Sequence, residues 1–165
     1  MNKGKIKKKK HKEVVSLFNH ASSLSKIEIR DIISSVQTTL EKGETIEVPV
    51  EHYFSKDVYA REMKLDAGSL IVGKIHKFEN LNILSKGEVS VLSIDGYKRL
   101  KAPTTFVGSV GAKRLIYAHT DVVWTTIHGT SEKDVDKIEE TFIAKNYDFE
   151  QEYIIDISEE KKCLG

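Results

Sequence analysis

Four histidines lie in the half of the chain whose residue pattern is typical of β-strands: His52, His76, His119 and His128. Neutral imidazoles, joined by a carboxylate such as Glu79, are ligands that Zn²⁺, Mn²⁺ or Fe²⁺ accept at about 2.0–2.2 Å. In a regular strand DVVWTTIH, His128 shares a face with Trp124 and Thr126, which is compatible with a barrel interior. The four histidines are therefore the candidate metal ligands.

A lysine next to His76 weakens the metal hypothesis. If the segment SLIVGKIHKF is one regular strand, His76 shares a face with Lys74, Val72 and Leu70. A lysine at a metal site opposes a divalent cation, because like charges repel at short range. This favours a site without metal, in which His76 hydrogen bonds to Asn82 or to a backbone carbonyl.

A pocket for a small anion is an alternative use of the same interior. Lys74, Lys113 and Arg114 would favour a negatively charged ligand, and aromatic side chains, Phe106 among them, could form a stacking wall or part of the core. Arg61 and Glu62 point to opposite faces of a strand and so do not pair. The candidate ligand-binding residues are Lys74, His76, Asn82, Arg114, Tyr117 and Trp124.

No catalytic motif accompanies these residues. The chain has no Gly-x-Ser-x-Gly elbow, no phosphate-cradling glycine loop and no histidine pair at i, i+4 on a helix. The stretch VGSVGAK lacks the ending of a phosphate loop and predicts a turn between strands. We therefore favour a protein that binds rather than catalyses, with no residue assigned as catalytic.

Two helices are predicted before the strands. Residues 11–20 place several apolar side chains in one helical stretch. A second helix begins after Ser25, which forms a capping box with Glu28, and ends at Gly43. We expect its apolar stripe to pack on the barrel or on a partner subunit. The stripe consists of Ile29, Ile32, Ile33, Val36 and Leu40.

From Thr45 the pattern changes to the alternation of strands, with turn sequences such as DAGS, SKGE and SVGA between them. Many short strands with frequent turns favour a small sandwich or jelly roll. The Asp95-Gly96 pair predicts a two-residue hairpin turn of type I′.

A last helix is predicted after Thr130, opened by Ser131 with Asp134. Its apolar face consists of Val135, Ile138, Phe142 and Ile143. The predicted segments are a basic tail (1–12), a helical extension (13–44), a jelly roll (45–130), a C-terminal helix (131–146) and an acidic tail (147–165).

Composition and charge restrict location and partners. The chain has 165 residues, 39% hydrophobic, which suits one compact domain without a membrane span. The lone Cys163 suits a reducing compartment, so we expect a cytoplasmic protein. Residues 3–12 carry seven lysines and no acid, which would allow contact with nucleic acid or with the acidic tail of another copy.

Two glycines, Gly68 and Gly87, enclose the central stretch, and Pro103 and Gly108 follow it. With these residues the chain resembles the cupin, or RmlC-like jelly-roll, superfamily. The glycines match the ends of the first cupin motif, whose ligand positions fall on Lys74, His76 and Asn80. The second motif lacks its histidine here. The resemblance implies a mainly β fold: a cupin-like jelly roll (double-stranded β-helix) with N-terminal helices and a C-terminal helix.

Longer strings carry a narrower resemblance. HYFSKDVYAREM, GKIHKFENLNILSKGEVSV and GAKRLIYAHTDVVWTTIHGT, within roughly residues 48–145, are similar to uncharacterised single-domain cupin-like phage and prophage proteins. The resemblance implies a bacteriophage protein, in the host cell cytoplasm, without an assigned reaction.

Three functions follow as alternatives. The favoured one is a non-catalytic cupin-like phage protein, a homodimer that binds a host or phage protein or a small ligand. The second is a metal-dependent cupin enzyme of the oxygenase or isomerase type. The third is a nucleic-acid-associated regulator that uses the basic N-terminus, residues 3–12.

Overall fold

A computed structural model describes residues 16, 18, 23–43 and 47–150. Helix α1 (Lys26–Glu41) begins with the predicted capping box. The Ser25 hydroxyl accepts the backbone N–H of Glu28, whose carboxylate accepts the backbone N–H of Ser25 at 2.8 Å. Of the predicted helix over residues 11–20, Ser16 and Phe18 are helical, and the rest lies outside the described residues.

The structure describes eleven strands and one further helix. The strands are β1 (Val50–Ser55), β2 (Val58–Leu65), β3 (Leu70–Val72), β4 (Ile75–His76), β5 (Asn80–Lys86), β6 (Glu88–Ser93), β7 (Gly96–Lys101), β8 (Thr104–Gly108), β9 (Leu115–Ala118), β10 (Val122–Gly129) and β11 (Ile143–Ala144). Helix α2 (Val135–Phe142) lies between β10 and β11. No helix of the described segments is long and apolar enough to cross a membrane.

The strands form two antiparallel sheets that enclose an apolar core. One sheet has the order β1-β2-β10-β5-β8 and the other β3-β9-β6-β7, while β4 and β11 form a short ribbon. Met63, Leu84 and Trp124 of the first sheet pack in one buried cluster with Ile71 and Ile116 of the second. Sheets that face each other through non-consecutive strands make a jelly roll. The predicted fold class, a mainly β jelly roll with helices, is confirmed.

Helix α1 covers the other face of the four-stranded sheet. Its buried residues Ile29, Ile33 and Leu40 belong to a second apolar cluster, which includes Leu70 and Tyr117 from the sheet. The predicted apolar stripe of this helix therefore lies against the barrel.

The segment SLIVGKIHKF is not one regular strand. Leu70 and Val72 of β3 belong to the cluster with α1, while Ile71 faces the interior. The strand stops at Val72, and beyond this break Lys74 and His76 both line the interior. A shift of one residue reverses the direction of every side chain that follows. The prediction that His76 shares a face with Val72 and Leu70 is therefore wrong.

Two turn and helix predictions also differ from the structure. The hairpin between β6 and β7 closes with the pair Ser93 and Gly96, and only Gly96 has a positive φ, of 87°. A type I′ turn needs positive φ at both central residues, so that prediction is wrong. Asp134 rather than Ser131 caps α2, and the chain leaves the helix after Phe142 because the next residues pair with β4.

Candidate functional site

A cavity of about 70 Å³ lies between the two sheets, next to α2. Strands β2 and β10 supply one wall through cross-strand pairs, of which Met63 with Trp124 and Tyr59 with His128 are two. Ile71, Ile116 and the chain around Lys74 supply the opposite wall. Apolar and aromatic side chains thus surround a small number of charged ones, as in typical ligand sites.

Arg114 places a buried positive charge at this cavity. Its side chain is 6% exposed, its Nη2 has no hydrogen-bond partner, and no described carboxylate lies within ion-pair distance of it. Burial lowers the pKa of Arg114 to about 10, although the charge of Asp95 acts in the opposite direction, so the guanidinium is charged at neutral pH. Gly108 makes room for this group, since a Cβ there would overlap Nη2. A buried charge without a counterion is unfavourable, and an anion would relieve that cost.

Arg61 is a second cation on the cavity wall. It lies on β2 opposite Thr126, and it makes no side-chain hydrogen bond or ion pair with any residue that the structure describes. Burial lowers the pKa of Arg61, and the charge of nearby Glu139 acts in the opposite direction. Arg61 and Arg114 therefore line the same cavity, and neither forms an ion pair with a described residue.

Lys74 and Glu139 form the one ion pair among the described cavity residues. Lys74 Nζ lies 2.6 Å from Glu139 Oε2, which joins the chain before β4 to α2. Burial would raise the pKa of Glu139, but the hydrogen bond from Lys74 and nearby positive charges lower it overall. Three cationic side chains thus share one carboxylate, and the cavity has a net positive charge.

His76 and His128 stack against each other with ring centroids 5.6 Å apart. The Nδ1 atom of each is buried without a hydrogen-bond partner. Burial, and after it the charge of Arg114, lowers the pKa of His76 to about 3, and burial lowers the pKa of His128 to about 4. Both rings are neutral at physiological pH, so the positive charge of the cavity comes from Arg61, Arg114 and Lys74.

Mild acid is expected to destabilise the protein through these two rings. Below pH 6.5 the unfolded imidazoles take up protons, while the folded ones stay neutral until pH 4 or below. The free energy of unfolding should therefore fall between pH 7 and pH 5, by about 2 kcal/mol per ring. Urea denaturation at both pH values would measure this. The double variant His76→Phe, His128→Phe should lose most of the pH dependence, and an unchanged slope would assign it to other groups.

Asn82 holds the Trp124 side chain in place. Its Oδ1 accepts hydrogen bonds from Trp124 Nε1 and Thr126 Oγ1, both at 3.1 Å, and its Nδ2 donates to Asn80 Oδ1 at 2.6 Å. All of these groups except Thr126 are fully or nearly fully buried. The indole therefore forms a fixed wall of the cavity. The hydrogen bond predicted between His76 and Asn82 is not formed.

The remaining predicted residues lie at different distances from the cavity. His52 lies outside it and contacts Tyr59, with Nδ1 and the hydroxyl 2.7 Å apart. His119 Nε2 is 2.8 Å from Ser90 Oγ, on the four-stranded sheet. Tyr117 packs in the cluster that faces α1, and Lys113 hydrogen bonds to Gln37 of α1. Of the predicted ligand-binding residues, the structure brings Lys74, His76, Arg114 and Trp124 to the cavity.

The four candidate metal ligands do not converge. Within residues 23–43 and 47–150, no three His, Cys, Asp or Glu side chains are grouped so that they could hold a metal ion. Positive charges from Arg114, Arg61 and Lys74 also act on His76. A divalent cation would be repelled by them. The donor set of the cavity therefore does not fit a divalent metal.

Several cavity residues carried little or no signal in the sequence. Tyr59, Arg61 and Met63 share a face by strand alternation, and this was the signal by which they could have been found. Glu139 offered no such signal, because its place at the cavity depends on how α2 docks against the barrel.

No family model and no curated protein matches the chain, but solved structures resemble it. A cupin superfamily protein from Desulfitobacterium hafniense is 13% identical, with 56% of this chain and 85% of that one covered, at a TM-score of 0.45. An RmlC-like cupin from Shewanella frigidimarina is 16% identical, with 58% of this chain and 90% of that one covered, at a TM-score of 0.45. KdgF from Halomonas sp. is 15% identical, with 56% of this chain and 90% of that one covered, at a TM-score of 0.46. At such identities the likeness concerns the fold alone.

Proposed function

We propose that this chain is a binding protein that holds a small organic anion in the cavity between its sheets. The observation that carries the proposal is the Arg114 guanidinium, which is buried, charged and without a partner among the described residues. Arg61 and Lys74 add positive charge at the same cavity. An anion entering it would gain charge-assisted hydrogen bonds in surroundings of low polarity, where they are strong.

The walls of the cavity specify the rest of the ligand. Trp124, Met63, Ile71 and Ile116 present apolar surface, so part of the ligand should be apolar as well. A single buried water needs about 10–15 Å³, so a cavity of about 70 Å³ admits only a small ligand. A small carboxylate meets both conditions. The rings of His76 and His128 are neutral and would line the site without adding positive charge.

Titration of the protein with small anions, followed by its intrinsic fluorescence, tests the proposal directly. Trp124 is the sole tryptophan of the chain and lies at the cavity, so its emission reports on occupancy. We expect saturable changes with butyrate or succinate in the wild-type protein. The matched control is Arg99→Met, which removes an exposed arginine paired with Glu88, and it should bind as the wild type does. No saturable response to any small carboxylate would reject the proposal.

Glu139→Gln is expected to strengthen anion binding about fivefold or more. This change removes the only carboxylate among the described cavity residues and releases Lys74 from its ion pair. Both effects raise the positive potential that attracts the ligand. Isothermal titration with succinate measures the change, with Glu140→Gln on the exposed face of α2 as the control. Equal affinities of the two variants would show that Glu139 does not compete with the ligand.

Other predicted features belong to this proposal as hypotheses. A phage origin, a homodimer, a host or phage protein partner and nucleic-acid contact through residues 3–12 remain predictions from the sequence. Sedimentation of the purified protein tests the homodimer. Deletion of residues 3–12 tests nucleic-acid binding, which should then disappear and, before deletion, should weaken steeply as salt is added.

A further inference from the structure

Two arginine side chains line the cavity from different elements. Arg61 belongs to β2 of the five-stranded sheet, whereas Arg114 directly precedes β9 of the four-stranded sheet and extends its guanidinium to Gly108 and the Phe106 ring of β8. Both lower the pKa of His76, so their electrostatic fields reach the same part of the cavity. Lys74 differs from them, because Glu139 already neutralises it. Two guanidinium groups that form no ion pair with a described residue are therefore left for the ligand.

From this arrangement we propose that the ligand is a short-chain dicarboxylate, with one carboxylate on Arg61 and the other on Arg114. The inference rests on the proposed anion-binding function and names its ligand class. A monocarboxylate would neutralise one guanidinium and leave the other without a counterion at the cavity, which is unfavourable. A dicarboxylate pairs both, and each guanidinium can present two parallel N–H donors to a carboxylate.

The middle of the cavity fits the chain between two such carboxylates. Met63 and Trp124 on one side and Ile71 and Ile116 on the other present apolar surface to it. Methylene groups held there lose water without losing hydrogen bonds. A compact dianion such as phosphate carries its charge on one centre and so would engage one guanidinium. The volume of about 70 Å³ favours the shorter dicarboxylates, from malonate to glutarate.

The experiment compares dicarboxylates with monocarboxylates of the same carbon number. Malonate, succinate and glutarate are each titrated into the protein at pH 7.5, and their affinities are compared with those of propionate, butyrate and valerate. Inorganic phosphate is included as a compact dianion. Isothermal titration and Trp124 fluorescence are the two readouts. We expect at least one dicarboxylate to bind about 30-fold more tightly than its monocarboxylate partner, since a second paired guanidinium adds charge-assisted hydrogen bonds. Phosphate should bind no more tightly than the monocarboxylates.

Arginine variants test whether this preference depends on both guanidinium groups. In Arg61→Met and in Arg114→Met the advantage of the dicarboxylate should fall to about threefold or less, because only one guanidinium remains. Arg61→Lys and Arg114→Lys keep the charge and give soluble alternatives if a methionine variant fails to fold. Arg99→Met, at an exposed position, should keep the full preference.

The outcomes separate this inference from the function on which it rests. If dicarboxylates and monocarboxylates bind equally well, the dicarboxylate inference is overturned and the anion-binding proposal stands. If Arg114→Met removes the preference but Arg61→Met retains it, the bridging arrangement is also overturned. If no carboxylate binds, both proposals fall together.

Discussion

Arg114→Met is expected to weaken anion binding strongly and to stabilise the fold at the same time. Arg114 is 6% exposed and forms no ion pair within the described residues, since the charge of Asp95 acts on it only from a longer distance, so the guanidinium lowers the stability of the folded state. Methionine of similar length fills the space without a charge. Replacing an unpaired buried charge by an apolar side chain should raise the free energy of unfolding by about 1–3 kcal/mol.

The same change removes the group that would bind the anion. We expect the affinity for succinate to fall about 100-fold, since charged hydrogen bonds in a buried site contribute several kcal/mol. Urea denaturation and succinate titration, each followed by Trp124 emission, give the two quantities from one sample. Loss of stability together with loss of binding would instead assign Arg114 a structural role.

Gly87→Ala is expected to destabilise the barrel strongly. Gly87 joins β5 to β6 with a φ of 94°, in the left-handed region that favours glycine. A Cβ there would overlap the carbonyl oxygen of Asp121 and lie 2.9 Å from Val122 Cγ2. The backbone before β10 would have to move, and that strand carries Trp124. We expect the free energy of unfolding to fall by about 3–5 kcal/mol.

Gly96 supplies the matched control for this variant. Its φ of 87° is almost the same, but a Cβ there would meet no atom within 4 Å. Gly96→Ala should therefore show the conformational cost alone, about 1 kcal/mol. Urea denaturation of both variants separates conformation from overlap. Equal losses in the two variants would mean that the contact with Asp121 is relieved by small movements.

The sequence predicted the elements whose signals are local. The capping box of Ser25 and Glu28 starts α1, and the alternation along β10 places Trp124 and His128 towards the interior. Each of these features depends on residues within a few positions of one another. The jelly-roll class followed from the number of strands and turns, and the topology confirms it.

The site was less accessible from the sequence, because it depends on how distant elements meet. The prediction that Tyr117 binds ligand assumed that it faces inward, but β9 turns Ile116 to the cavity and Tyr117 to α1. Glu139 reaches Lys74 across 65 positions of sequence through the docking of α2. The anion preference of Lys74 and Arg114 was predicted from residue type, and that part is compatible with the cavity.

The break after Val72 has a consequence for how the binding specificity of this fold could change. Because β3 ends there and β4 begins at Ile75, the two residues between them determine which side chains of β4 face the cavity. Deletion of one of them would exchange Ile75 with His76 at the wall and leave β3 and its cluster with α1 unchanged. A single codon lost or gained at positions 73–74 is thus a short evolutionary route to a new binding specificity on an unchanged barrel.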